Sequence, residues 1–115
     1  MSRILQLSNR YIRGRKRCKK RGCNMKLLDD IETILSTRSF TDGEIVKYKV
    51  HNLSGSLKGF QELHLGNRCS DWVVIYQISG NHVKFEDTIV TMYDTGTHKD
   101  CFGAYEPDNM EIIWV

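Results

Sequence analysis

The hydrophobic period of this chain changes once, and that change sets its fold class. Before Thr41-Asp-Gly the apolar residues keep helical spacing, with Leu27, Leu28, Ile31, Ile34 and Leu35 in one stripe. After it the period is two. Phe60 to Leu65 alternates, placing Leu63 and Leu65 toward a core and Glu62 and His64 toward a surface or cleft. Asp71 to Ile78 is a strongly apolar run, the mark of a central strand covered on both faces. Ser79-Gly-Asn-His is a hairpin turn signal, and the alternation at Val83 and Phe85 and at Ile89, Thr91 and Tyr93 predicts one or two further strands before Gly96. At the other end, Arg3 to Leu7 reads as a short strand. Asn9 to Arg21 reads as a helix ended by Gly22, with Gly14 inside it disfavoured by ~1 kcal/mol relative to alanine. Asn24 caps a second helix, with Asp29 and Asp30 near its positive end. Glu44 to Val50 reads as a short extended segment. Two N-terminal helices followed by strands give an α+β domain, the helices packed on a small, mainly antiparallel sheet.

With 115 residues, 40% apolar and 27% charged, the expectation is a single globular domain over 1–115. No apolar stretch approaches the ~20 residues of a membrane helix, and no leader is evident at the N-terminus, so a cytoplasmic protein with no membrane partner is expected. The net charge of +3 hides an asymmetry: residues 1–28 carry ten Lys or Arg and no acid. Eight of these, Arg10, Arg13, Arg15, Lys16, Arg17, Lys19, Lys20 and Arg21, fall within twelve residues. Such a run is either a solvated helix face or a contact for phosphates, and the density of like charge favours nucleic acid. Cys18, Cys23, Cys69 and Cys101 show no repeating spacing, so free thiols are the default. A zinc site assembled from His64-x4-Cys69 and His98-x2-Cys101 lacks the paired C-x2-C knuckles of structural sites.

Chemistry concentrates in the second half. His51, Glu62, His64, Asp71 and His98 lie on or beside neighbouring sheet elements, and adjacent strands are only ~4.8 Å apart. Histidine, with an unperturbed pKa of ~6.5, both takes and gives a proton near neutrality. Such a group can cleave RNA without a metal. A base removes the ribose 2′-OH proton, the oxygen attacks phosphorus, and an acid protonates the departing 5′ oxygen. Each residue also has a plainer reading: His82 as a solvated turn residue, Trp72 and Tyr76 as core, Asp71 as a strand-start residue, Lys58 as a turn lysine or a phosphate contact. From the residues alone, a phosphodiester-cleaving site and a non-catalytic nucleic-acid binder both stand.

One string separates these readings: His51-x-Leu-x-Gly-Ser-x-Lys-Gly, Glu62-x-His64, Asp71-Trp-x-x-Ile-Tyr76 and Thr95-Gly-Thr-His98-x-x-x-Phe102. With a looser N-terminal part, Ser8-Asn-Arg-Tyr11 and the basic helix, the chain resembles the RelE superfamily of bacterial toxins, and most closely its YafQ branch, from about Ser8 to Gly103. The resemblance implies the RelE-like α+β fold and a ribosome-dependent endoribonuclease that cuts messenger RNA. It implies no metal or cofactor. The implied partners are the ribosome, mRNA and an acidic protein antitoxin, RelB-like or DinJ-like, that wraps the toxin. Carried over by position, the site is His51, Glu62, His64, Asp71, His98 and Phe102. His98 is expected as general acid, His51 or Asp71 as base, His64 as charge stabiliser, and Phe102 as a positioning group. Glu62 stands where the pattern usually has Asp. Gly66 to Ser70 and residues 79–94 are longer than usual, and 104–115 is an extra tail beyond the basic segment 1–22 and the sheet. A toxin of the same fold acting on DNA gyrase remains the nearest alternative.

Overall fold

The computed structural model describes residues 2–66, 71–80 and 87–102. Strand β1 (Ser2–Leu7) leads into helices α1 (Asn9–Lys20), α2 (Met25–Thr37) and α3 (Asp42–Tyr48). Strands β2 (His51–Asn52), β3 (Gln61–His64), β4 (Val73–Gly80) and β5 (Asp87–Gly96) follow, and α4 (His98–Phe102) closes the order. The sheet order is β1-β5-β4-β3-β2. Only β1 on β5 is parallel; the other three pairings are antiparallel. The expected α+β fold with a mainly antiparallel sheet is therefore the observed one. Among the described residues no helix is long and apolar enough to cross a membrane.

The N-terminal helices start and stop where their caps dictate. The Ser8 side chain accepts from the Tyr11 amide, and Gly22, at φ 82°, takes the left-handed turn that releases the chain from α1. The Asn24 side chain accepts from the Lys26 amide to open α2. From α2, Leu28, Ile31 and Leu35 are fully buried on the sheet with Tyr11, Val74, Tyr76, Val90 and Met92. Gly14 has a reason beyond helix propensity: a Cβ there would sit 2.3 Å from the Thr95 carbonyl oxygen. α1 thus crosses the end of β5 at backbone contact, which only glycine allows.

Two expectations are corrected. Residues 42–48 form a helix, not a strand. Thr41 and Glu44 make a reciprocal capping box, and Arg38 grips both Glu44 oxygens at 2.8 and 3.2 Å. No residue of this helix is fully buried and Val46 is 77% exposed, while Tyr48 packs half-buried against the core. Cys23 is disulfide-bonded rather than free, a pairing that irregular cysteine spacing in the sequence gives no sign of, whereas Cys18 and Cys101 are free and buried. The turn at 79–82, His82, the alternation at 83–85 and the tail 104–115 lie outside the described residues in whole or part.

The far face of the sheet carries a second, smaller apolar cluster of Leu57, Val73, Ile75, Cys101 and Phe102. α4 and the turn at Gly55–Leu57 supply its cover, and Glu62 and His64 look toward this side.

Candidate active site

Register across β2, β3, β4 and β5 assembles the site. His51 lies directly opposite Glu62 in the β2–β3 pair, a position that brings Cβ atoms to about 5 Å. His64 follows Glu62 by two residues and shares its face. His64 pairs with Val73, and Val73 with Gly96, so the chain leaving β5 starts α4, at His98, beside His64. Three imidazoles from three elements then stand in a row. His51 and His64 are stacked with centroids 5.6 Å apart, His64 and His98 are 5.6 Å apart, and Phe102 closes the row 5.8 Å from His98.

All three rings turn Nε2 toward one oxygen, Oε1 of Glu62, at 3.2 Å from His51, 3.2 Å from His64 and 3.5 Å from His98. Of the surface or cleft expected for Glu62, the structure gives the cleft, and the side chain is only 3% exposed. His51, His64 and His98 close over its carboxylate. Two of the rings have their tautomer set from behind. His98 Nδ1 contacts Asp71 Oδ1 at 2.5 Å, and its backbone amide donates to the other Asp71 oxygen at 3.2 Å. His51 Nδ1 meets the Lys49 carbonyl at 2.9 Å. Carboxylate and carbonyl oxygens only accept, so Nδ1 carries the proton in both rings and Nε2 is the atom left to exchange one. Burial pushes the His64 imidazole below the usual histidine range, and His98, His51 and Lys49 push the same way against Glu62. The middle ring of the row therefore favours its neutral form.

All six residues carried over from the string, His51, Glu62, His64, Asp71, His98 and Phe102, meet at this place. The basic helix divides instead. Arg10 pairs with Asp94 at 2.7 Å, Arg15 with Asp29 and Glu32, Arg17 with Asp100 at 3.5 Å, and Arg21 with Asp100. Arg13, Lys16, Lys19 and Lys20 are exposed and make no ion pair among the described residues. Lys58 is exposed at the end of the Gly55–Leu57 turn. Two lysines escaped sequence reasoning. Lys47 and Lys49 line, with His64, Leu65 and Gly66, a cleft of about 220 Å³ next to the histidine row. Lys49 holds a left-handed conformation, φ 52°, which aims its carbonyl at His51. Only its nearness to His51 in the sequence hinted at this.

His51, Glu62 and His64 also offer ligand atoms within 4.8 Å of one another, a spacing a transition-metal ion can use. The sequence-derived zinc pairing fares differently. Cys69 lies outside the described residues, and Cys101 is 2% exposed in the apolar cluster, where burial pushes its thiol up and keeps it protonated.

Comparison with known proteins agrees with this geometry. The family described as bacterial toxin of type II toxin–antitoxin system, YafQ, matches residues 3–103. The mRNA interferase toxin YafQ of Escherichia coli K12 is 30% identical over 103 residues, spanning 90% of this chain and 99% of that protein. The crystal structure of YafQ from E. coli BL21(DE3) superposes with a TM-score of 0.71 at 26% identity, covering 88% of this chain and 99% of the other. The toxin in the E. coli DinJ–YafQ toxin–antitoxin complex gives 0.69 at 28% identity, covering 90% and 100%. The match runs through both the helical and the histidine-bearing parts, and the chain belongs to the YafQ family of bacterial type II toxins.

Proposed function

We propose that this chain is an mRNA interferase, a ribosome-dependent endoribonuclease whose own side chains supply acid and base. The observation that carries the reading is the convergence of three imidazole Nε2 atoms on the buried Glu62 oxygen. His51 is the base. Its Nδ1 proton is tied to the Lys49 carbonyl, so the lone pair of Nε2 takes the 2′-OH proton, and Glu62 stabilises the imidazolium that results. O2′ bonds to phosphorus while the P–O5′ bond breaks. His98, oriented by Asp71, delivers the Nε2 proton to O5′. His64, held neutral by burial, donates a hydrogen bond to the crowded phosphorane. Both Asp71 oxygens engage His98, which favours His51 over Asp71 as base. The products are a 2′,3′-cyclic phosphate and a 5′-hydroxyl.

Arg13, Lys16, Lys19 and Lys20 form the face that meets ribosomal RNA phosphates, and the Lys47–Lys49 cleft takes a phosphate beside the scissile one. The partner in the cell is a protein antitoxin, in line with the DinJ–YafQ toxin–antitoxin complex of E. coli, and the exposed cations call for an acidic segment that folds across them. The test is 5′-end mapping of a defined mRNA on programmed ribosomes. New 5′-hydroxyl ends with the wild-type chain, and a loss of about 10²–10⁴-fold in their rate for His98→Ala, are expected. Arrested growth without new ends would favour the gyrase reading. Undiminished cleavage by His98→Ala would remove His98 as the acid.

A further inference from the structure

We propose that Asp100 is a positioning residue for His98, acting through a clamp that three arginines of α1 place on α4; the inference rests on the reading of His98 as the acid. α4 has five residues, far below the ~12–15 at which an isolated helix becomes even marginal in water, so its place must be imposed from outside. The Thr97 amide donates to Asp100 Oδ2 at 3.0 Å, and the Asp100 amide donates to Thr97 Oγ1 at 3.0 Å, a reciprocal box at the helix start. Arg21 reaches both Asp100 oxygens, one of them at 3.2 Å, and Arg17 Nε stands 3.5 Å away. At the far end Arg10 Nη2 donates to the Cys101 carbonyl at 2.6 Å, one of the acceptors a helix terminus leaves unpaired. Gly96 makes room for all this: a Cβ there would lie 2.8 Å from Asp100 Oδ2.

These contacts complete the hold on His98, which Asp71 ties only at the first residue of α4, through the ring and the backbone amide. Asp71 orients the imidazole, and Phe102 flanks it. The tilt of α4 sets how far Nε2 stands from the Glu62 oxygen. The family string leaves position 100 open, so nothing in the motif assigns this carboxylate a role. α1 thus serves two ends. Its outward cations face solvent, while Arg10, Arg17 and Arg21 hold the helix that carries the acid.

Asp100→Asn and Arg21→Ala test the clamp. Each is expected to lower kcat on programmed ribosomes by about 10²-fold, the effect of a displacement near 1 Å, with KM unchanged. Each should shift the His98 ring signals in NMR, leave those of His51 and His64 in place, and speed amide exchange at 98–102 alone. The double variant should be no worse than either single one. Wild-type kcat in both variants, or His51 and His64 signals moving along with His98, would overturn the proposal, the latter by showing a general loss of structure. If the wild-type chain cuts no mRNA, the nuclease reading fails, while the His98 signals and the amide exchange still decide whether the clamp exists.

Discussion

Among the described residues two carboxylates are buried, and their surroundings differ in kind. Asp94 is 1% exposed and belongs to Arg10, whose Nε donates at 2.7 Å, with the Thr95 amide donating to its other oxygen at 2.8 Å. Burial pushes the Asp94 carboxyl up, and the Arg10 guanidinium pulls it back. Glu62 is 3% exposed, and the ion-pair partners it has among the described residues are imidazoles alone. A guanidinium never gives up its proton in a protein, so Asp94 is a fixed joint between α1 and β5. An imidazole gains and loses its proton near neutrality, so the charge around Glu62 can move. In the function proposed above, the permanent cation makes structure and the exchangeable ones make chemistry.

Glu62→Gln tests this contrast most severely. Cleavage should fall by about 10²–10⁴-fold, because the proton taken by His51 loses its counter-charge. Stability should hold or rise, since a buried charge without a permanent partner is removed. A variant that unfolds would place Glu62 with Asp94 as a structural group. Asp94→Asn should do the opposite. With Arg10 about one-third exposed, a loss of about 3 kcal/mol is expected on chemical denaturation, at the low end for breaking such a pair. An unchanged denaturation midpoint would deny it the role of a joint. Gly14→Ala probes the same joint without touching charge. Its Cβ, 2.3 Å from the Thr95 oxygen, must push α1 off β5, costing about 1–3 kcal/mol.

The smallest effects concern pH. Arg38 first, and then the Thr41 amide, hold the Glu44 carboxyl down at about 2. A lowered acid stabilises above the ordinary carboxylate range, and its contribution fades as pH falls toward 2. Amide exchange in α3 should therefore quicken across that interval, and exchange in α1 should not follow it. His64 is lowered too, so NMR should show it protonating below the usual histidine range. A midpoint at or above ~6.5 would contradict the neutral middle ring.

Local signals in the sequence carried much of this. Gly22 marked the end of α1 and Asn24 the start of α2, and period two put Glu62 and His64 on one face. α3 was misread because Glu44 to Val50 alternates apolar and polar residues, although Thr41-x-x-Glu44 spelled out its cap. The burial of Glu62 was not legible, because one of the imidazoles over it, His98, comes from α4, which is distant in the chain. The same distance hid the arginine pairs. Arg10 finds its acid 84 residues on and Arg21 finds its own 79 residues on, so a run of local charge read as a phosphate surface. Neighbouring strands made a meeting of the histidines possible, and the family string singled out which residues, since alternation along one strand says nothing about which strands become neighbours.

β1 lies parallel to β5, and the first strand of the chain is thereby a partner of the last. During synthesis Ser2–Leu7 leaves the exit tunnel long before Asp87–Gly96 exists, and α1 waits equally for Asp94 and Asp100. His98 is among the last described residues to be made. A nascent chain therefore cannot bring His98 beside His51 and His64 until β5 and α4 have both emerged.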